Sequence, residues 1–230
     1  MLRPPSTAHP LGTDDLGRDI LSRIIYGGRV SLEVALISVS ISLGIGLIIG
    51  LITGYWKGWI DNLLMRFMDA ILAFPSLVLA LAIAAVLGAK LINAIIAIGI
   101  VYIPQFARLI RGQVLSVSNL EYVQSARALG ASSRRIIFFH ILPNITTPLI
   151  VQITLSVGYA ILAEASLSFL GVGVQPPQPA WGTMLRMGYP YLEAAPWLAI
   201  APGAAIFLVV MACNFVGDWM RAALAGGAQK

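Results

Sequence analysis

Long runs of apolar residues alternate along this chain with short polar segments. Five of the runs approach the roughly 20 residues that a helix needs to cross the hydrocarbon core of a bilayer. The five runs are residues 30–53, 67–87, 91–110, 145–170 and 197–217. They lack the alternating polarity that strands of a membrane barrel would show. Because unpaired backbone groups are costly in lipid, we predict five transmembrane α-helices and an all-α integral membrane fold.

Glycines and prolines inside these runs predict where helices pack and bend. Gly46, Gly50 and Gly54 stand four residues apart and therefore share one face of the first predicted span. Small residues at that spacing let two helices approach closely in a membrane. Pro75 and Pro104 lack a backbone donor, and we interpret them as tolerated kinks or span ends.

The composition agrees with a membrane location. Apolar residues make up 58% of the 230 residues and charged residues only 11%, whereas soluble domains carry roughly a quarter charged residues. The formal charge of +5 lies in the segments between apolar runs, so we attribute it to membrane orientation and expect no nucleic-acid partner. The sequence contains no GxxxxGK[ST] motif, catalytic triad or metal-spacing motif, so we expect neither an enzyme nor a bound cofactor or metal.

Five spans place the two chain ends on opposite sides of the membrane. The side that receives residues 54–66, residues 111–144 and the C-terminus holds nine Lys and Arg residues, against six on the other side. The positive-inside rule therefore predicts that this side is cytoplasmic. We expect an extracytoplasmic segment at 1–29, a transmembrane domain at 30–218 and a cytoplasmic tail at 219–230. An external N-terminal segment without an export signal leads us to expect that an earlier span is missing from this sequence.

The most informative polar segment is residues 118–144, which read SNLEYVQSARALGASSRRIIFFHILPN. Ser118 and Glu121 form a capping-box pattern, which predicts the start of a helix. Gly130 predicts the end of that helix, because glycine readily adopts the left-handed backbone of a helix C-terminus.

A second helix is predicted to follow. Ser132 or Ser133 can cap it, and Pro143 is expected to stop it or bend it into the next span. The segment therefore predicts two short helices at a sharp angle. Such a surface knob is suited to docking into a cleft of another protein.

The knob resembles the cytoplasmic coupling motif of binding-protein-dependent ABC importer permeases. The family pattern is E-A-A, three residues, Gly, nine residues and I-x-L-P. Here Gln124, Ser125 and Ala126 occupy the E-A-A positions, Gly130 the glycine, and residues 140–143 the final four positions. Gln, Ser and His replace the family's first Glu, its first Ala and its Ile, while the spacing is intact.

Longer segments resemble the dipeptide/oligopeptide/nickel branch of that family. They are residues 9–32, 163–185 and 214–224, so the resemblance covers nearly the whole chain in matching order. Within the branch, the chain is similar to the C-type permease subunit. The resemblance implies the type I ABC importer permease fold. The family has six spans, so it also implies that the first span is missing here.

The resemblance further implies a set of partners and a docking role. The partners are a second homologous permease subunit, two cytoplasmic ATPase subunits that carry ATP and Mg, and an extracytoplasmic substrate-binding protein. The complex would lie in the cytoplasmic membrane of a prokaryote and import di- or oligopeptides, nickel or a similar small solute. The candidate residues for coupling to the ATPase are Glu121, Tyr122, Gln124, Ser125, Ala126, Arg127, Leu129, Gly130, Arg134, Arg135, Leu142 and Pro143.

Several alternatives stay open from the sequence. Arg127, Arg134 and Arg135 either pair with acidic groups of the ATPase or serve as ordinary positive-inside anchors. Glu164 lies inside an apolar run, where a carboxylate either lines the transport pathway or bonds to a neighbouring helix. The alternative functions are an ion-coupled secondary transporter and a structural membrane subunit without transport activity.

Overall fold

The computed structural model describes residues 2–226, and helices account for most of that range. The helices are α1 (Ile20–Trp56), α2 (Trp59–Leu72), α3 (Ser76–Leu87), α4 (Leu91–Ser118), α5 (Glu121–Ala128), α6 (Ser133–Arg135), α7 (Leu142–Phe169), α8 (Trp181–Gly188) and α9 (Trp197–Gly226). Four helical segments are long and apolar enough to cross a membrane, and α2 with α3 forms a fifth as a bent pair. The prediction of an all-α membrane fold is confirmed.

The prediction that residues 67–87 form one continuous helix is wrong. The axes of α2 and α3 meet at 91°, and the break lies just before Pro75. Proline has no N–H to donate and disfavours helical backbone at the residue before it, so Phe74 cannot continue α2 into α3. Pro75 is thus a break between two short helices, whereas Pro104 and Pro148 lie within continuous helices.

The glycine stripe of α1 is a site of close helix packing, as predicted, and the helix that packs there is α4. A Cβ added at Gly46, Gly50 or Gly54 would lie 2.6–2.7 Å from the Cβ of Phe106, Ile110 or Val114, respectively. Those three α4 side chains are completely buried, so α4 lies at the centre of the bundle. Hydrogen bonds continue the seam, since the Ser38 and Ser42 hydroxyls donate to α4 carbonyls at 3.1 and 2.7 Å.

The first helix begins earlier than the apolar run predicts, because Asp19 caps it. The Asp19 carboxylate accepts a hydrogen bond from the backbone N–H of Ser22 at 2.8 Å, and this bond holds the pKa of Asp19 below its ordinary value of 3.8. The Trp181 indole N–H donates to the Ile24 carbonyl at 2.9 Å. The start of α1 is therefore fixed beside α8, at the end of the bundle where α7 finishes.

Two ion pairs fasten α2 to α4. The Arg111 guanidinium binds the buried Asp61 carboxylate with two hydrogen bonds, at 2.6 and 2.7 Å. The other pair joins Asp69 of α2 to Arg108 of α4. Both ion pairs therefore hold the same face of α2 against α4.

The last helix is longer than its predicted span. It begins at Trp197, as predicted, and runs without interruption to Gly226. The predicted tail, residues 219–230, therefore starts inside this helix, and residues 227–230 lie outside the described residues. Large apolar side chains such as Phe207, Phe215 and Trp219 are exposed along α9, so it lies at the periphery of the bundle.

Candidate functional site

The predicted surface knob is a helical elbow between α4 and α7. We define the elbow as α5, the turn at 129–132 and the helical segment 133–141. Its first arm begins two residues later than the capping box at Ser118 predicts, so that prediction is wrong. Ser118 is instead the last residue of α4, because Val114 and Val117 continue the buried face of that helix. The hydroxyl of Ser118 is buried without a hydrogen-bond partner in the described chain, and Leu120 takes the N-cap position.

The turn between the two arms closes at Gly130, as predicted. Gly130 has φ +81°, and its N–H donates to the Arg127 carbonyl at 3.0 Å. The next N–H, of Ala131, donates to the Ala126 carbonyl at 3.0 Å. These two bonds are the Schellman arrangement, which satisfies the last carbonyls of a helix and fixes the direction in which the chain leaves it.

The second arm is capped by Ser132, which confirms one of the two predicted caps. The Ser132 hydroxyl accepts a hydrogen bond from the Arg135 N–H at 3.4 Å. The arm then continues as a π-helical turn over residues 136–141.

One of the two sequence alternatives was that the second arm ends at Pro143, and that alternative is wrong. Residues 133–169 form one uninterrupted helical segment through the π-helical turn into α7. The N–H of Leu142 bonds to the Ile137 carbonyl five residues back. Pro143 directly follows the π-helical turn, and such a local adjustment lets a membrane helix continue past a proline that has no N–H to donate. The elbow is therefore continuous with a helix that is long and apolar enough to cross a membrane.

Buried anchors hold the elbow to the bundle. Val123 in the first arm and Ile136 and Ile141 in the second are at most 1% exposed and belong to the main apolar core. The Tyr122 hydroxyl donates to the His140 carbonyl at 3.3 Å, so the two arms are also tied to each other.

A further contact joins the elbow to α1. The Arg127 guanidinium lies 5.5 Å from the ring centroid of Tyr55, at the C-terminal end of α1. That distance is within the range of a cation–π interaction. No sequence pattern indicates this contact, because Arg127 and Tyr55 are far apart along the chain and no motif links them.

The outer surface of the elbow is apolar and basic. Leu129 is 88% exposed at the turn, and Phe139 is 74% exposed on the second arm. Phe138, Arg134 and Arg135 are also exposed beside it. Exposed aromatic side chains with adjacent arginines are the residues enriched at protein interfaces.

The structure brings the twelve predicted coupling residues together on or just below this elbow. Ala126 and Leu142 are half-buried, and the others are exposed: Glu121, Tyr122, Gln124, Ser125, Arg127, Leu129, Gly130, Arg134, Arg135 and Pro143. Val123, Tyr55 and the two exposed phenylalanines are neighbours that the motif did not indicate.

The remaining candidate, Glu164, is not part of this surface. It is completely buried, and its two carboxylate oxygens accept hydrogen bonds from Ser31 of α1 and Ser168 of α7, both at 2.7 Å. The Ser168 oxygen in turn accepts the N–H of Val174 at 3.0 Å. Glu164 therefore connects α1, α7 and the segment that follows α7.

A bundle of apolar spans with an exposed elbow has counterparts among solved structures. The fold is similar to the structure titled "Inward facing conformations of the MetNI methionine ABC transporter", with a TM-score of 0.73 and 17% identity over 89% of this chain and 97% of that chain. It is also similar to "an amino acid ABC transporter with histidines", with a TM-score of 0.68 and 16% identity over 88% and 94%. These structures share the fold of this chain.

Sequence comparison is more specific. The model of the family "Binding-protein-dependent transport system inner membrane component" matches residues 46–229. The chain is 50% identical to the dipeptide transport system permease protein DppC of Alkalihalophilus pseudofirmus, over 97% of this chain and 73% of the relative. It is 46% identical to the glutathione transport system permease protein GsiD of Pectobacterium atrosepticum, over 96% and 73%. The chain belongs to the family of binding-protein-dependent transport system inner membrane components.

Proposed function

We propose that this chain is the permease subunit of an ATP-driven importer of short peptides. Two relatives are named for dipeptide and for glutathione, and both solutes are short peptides. The fold and the elbow supply the parts that such a subunit needs: spans that enclose a route for the solute, and a surface through which another protein can move them.

The observation that best supports coupling to an ATPase is that the elbow is held rigidly. A flexible loop would absorb the motion of a docked partner, whereas this elbow has a closed turn at Gly130 and buried anchors at Val123 and Ile136. Its second arm is continuous with α7, and its first arm contacts the end of α1 through Arg127. A displacement at the exposed Leu129 would therefore tilt both spans.

The energy source in this proposal is a separate pair of ATPase subunits, which bind ATP and Mg. The sequence supports this because it contains no phosphate-binding glycine loop. A second homologous permease and an extracytoplasmic binding protein would complete the complex. The excess of Lys and Arg on the side of the elbow supports a cytoplasmic location for it.

The test of the coupling role is the substitution Gly130→Leu in the complex assembled with its partner subunits. A Cβ at Gly130 would meet nothing within 4 Å, so the direct effects are backbone strain at φ +81° and a bulky group on the docking surface. Gly58→Leu is the matched control, because Gly58 has φ +85° and equally open surroundings outside the elbow.

We expect Gly130→Leu to abolish ATP-driven peptide uptake or complex assembly while the chain still inserts in the membrane. Gly58→Leu should carry at least as much backbone strain, because Gly58 combines φ +85° with ψ −146°, and should nevertheless retain uptake. Unchanged uptake in Gly130→Leu, or an equal loss in both variants, would argue against docking through the elbow.

A further inference from the structure

A cavity of about 200 Å³ lies between α3, α4 and α7, well away from the elbow. The side chains around it include Ser76 of α3, Tyr102 of α4, and Tyr159, Ala163 and Ser166 of α7. Its volume is that of a small group, below the range of about 300–1,000 Å³ for whole drug-sized ligands.

The cavity lies in the half of the bundle opposite the elbow. Tyr102 is eleven residues after the start of α4, which corresponds to about 16 Å along the helix axis. Ser166 is three residues before the end of α7, whereas the elbow joins the opposite end of that helix. A solute that enters from the side of α8 would meet this cavity before it reached the elbow.

The polar groups of the cavity suit a neutral partner that donates hydrogen bonds. The Ser166 hydroxyl donates its own proton to the Leu162 carbonyl at 2.7 Å, so its lone pairs remain free to accept. The Tyr102 hydroxyl donates to the Tyr159 carbonyl at 3.4 Å and is likewise left as an acceptor. All of the residues that line this cavity are uncharged.

A second, apolar cavity continues from the first. Its volume is about 490 Å³, and it shares Leu77, Leu162 and Ser166 with the smaller cavity. Phe169 and Ile206 are among the side chains that line the rest of it. The two cavities together form a groove with hydroxyl groups at one end and an apolar surface at the other.

We propose that this groove holds one neutral residue of the transported peptide. The amide N–H of that residue donates to the Ser166 hydroxyl, and the Tyr159 hydroxyl donates to its carbonyl. Its apolar side chain begins beside Ala163 in the smaller cavity and extends into the larger one. A charged side chain is disfavoured there, because it would lose its water without gaining a counter-charge. This inference rests on the proposed peptide transport and adds a selectivity that the permease itself imposes.

A lipid acyl chain is the competing occupant, and the hydroxyl groups argue against it. An acyl chain offers no donor or acceptor, so it would leave the Tyr159 hydroxyl without a partner, whereas a peptide supplies both kinds of group. Tyr159 is 53% exposed, which leaves its hydroxyl accessible from the groove.

The test uses the complete complex in vesicles with its binding protein saturated, so that the affinity of the binding protein does not set the rate. The probes are alanyl-phenylalanine and alanyl-glycine. Ala163→Leu adds three carbon atoms inside the small cavity. Ala85→Leu is the matched control, since Ala85 is exposed on α3 and lines neither cavity.

We expect Ala163→Leu to lower the maximal uptake rate of alanyl-phenylalanine by about tenfold or more, and that of alanyl-glycine by less than about threefold. Ala85→Leu should leave both rates unchanged. Tyr159→Phe removes only the hydroxyl and keeps the backbone carbonyl that accepts from Tyr102. It should lower both uptake rates by about two- to tenfold, which corresponds to the loss of one hydrogen bond to the peptide.

Equal losses for the two peptides in Ala163→Leu, or unchanged rates in both cavity variants, would overturn the inference. If Ala163→Leu fails to assemble, Tyr159→Phe decides alone, and an unchanged rate in that variant rejects the peptide site. Failure of the proposed function would look different, because the unmodified complex itself would then show no ATP-dependent uptake of either peptide.

Discussion

The seam between α1 and α4, where the glycine stripe packs closely, leads to a quantitative prediction about stability. In Gly50→Ala, the new Cβ would lie 2.6 Å from the Ile110 Cβ and 2.8 Å from the Ala107 carbonyl oxygen. Carbon atoms normally approach to about 3.5–4.0 Å, so the two helices must separate locally by about 1 Å. The obstructing Ile110 Cβ and Ala107 carbonyl oxygen are fixed to α4 rather than lying at the end of a flexible side chain, so they cannot simply rotate away.

The magnitude follows from two opposing effects. Overpacking of this kind costs about 1–3 kcal/mol, and a gap of 0.5–1 Å along the seam forfeits about a quarter to a half of each dispersion contact beside it. The intrinsic preference of a helix for alanine over glycine offsets up to about 1 kcal/mol. We expect Gly50→Ala to be less stable by about 1–2 kcal/mol.

The assay is equilibrium unfolding of the detergent-solubilised protein in mixed micelles, followed by tryptophan fluorescence. Gly44→Ala is the matched control in the same helix, because a Cβ at Gly44 meets nothing within 4 Å. That variant should match or slightly exceed the parent in stability. Equal free energies of unfolding for the two variants would refute the close packing of α1 on α4.

Three further substitutions probe other contacts. Glu164→Ala should lower the free energy of unfolding by about 2–4 kcal/mol, because two buried serine hydroxyls lose their acceptor, whereas the glutamine variant should lose less. Asp61→Asn should lower the free energy of unfolding by about 1–3 kcal/mol in the same assay. This loss is smaller than that expected for breaking a fully buried ion pair, because the Arg111 side chain is 34% exposed. The lowered pKa of Asp19 means that its contribution is present above pH 3.8 and is lost as the pH falls through the folded-state pKa. Asp19→Asn keeps a helix cap and should remove that acid-dependent loss in a pH series.

The apolar runs predicted the spans well because a bilayer imposes a length and a polarity on each helix. They failed at residues 67–87, where hydropathy cannot tell a straight span from two short helices joined by a break before Pro75. They also ended α4 too early, since its last two turns are amphipathic and the buried Val114 and Val117 alternate there with polar residues.

The elbow was predictable in part because its turn depends on local chemistry. Gly130 and Ser132 act through bonds to residues at most four positions away, which a sequence pattern can indicate. The contact of Arg127 with Tyr55 depends on where α1 ends in space. The cavity between α3, α4 and α7 is likewise a product of tertiary packing.

Cross-linking tests the central claim most directly. Leu129→Cys places a thiol at the exposed turn of the elbow, and Phe207→Cys places one on the exposed face of α9 as a control. Both substitutions are made in a chain whose own Cys213 is replaced by serine. With a short bifunctional reagent, we predict that the elbow thiol links this chain to an ATPase subunit of the assembled complex and that the α9 thiol does not. Absence of that product in an assembled, ATP-hydrolysing complex would contradict the proposed docking of the elbow.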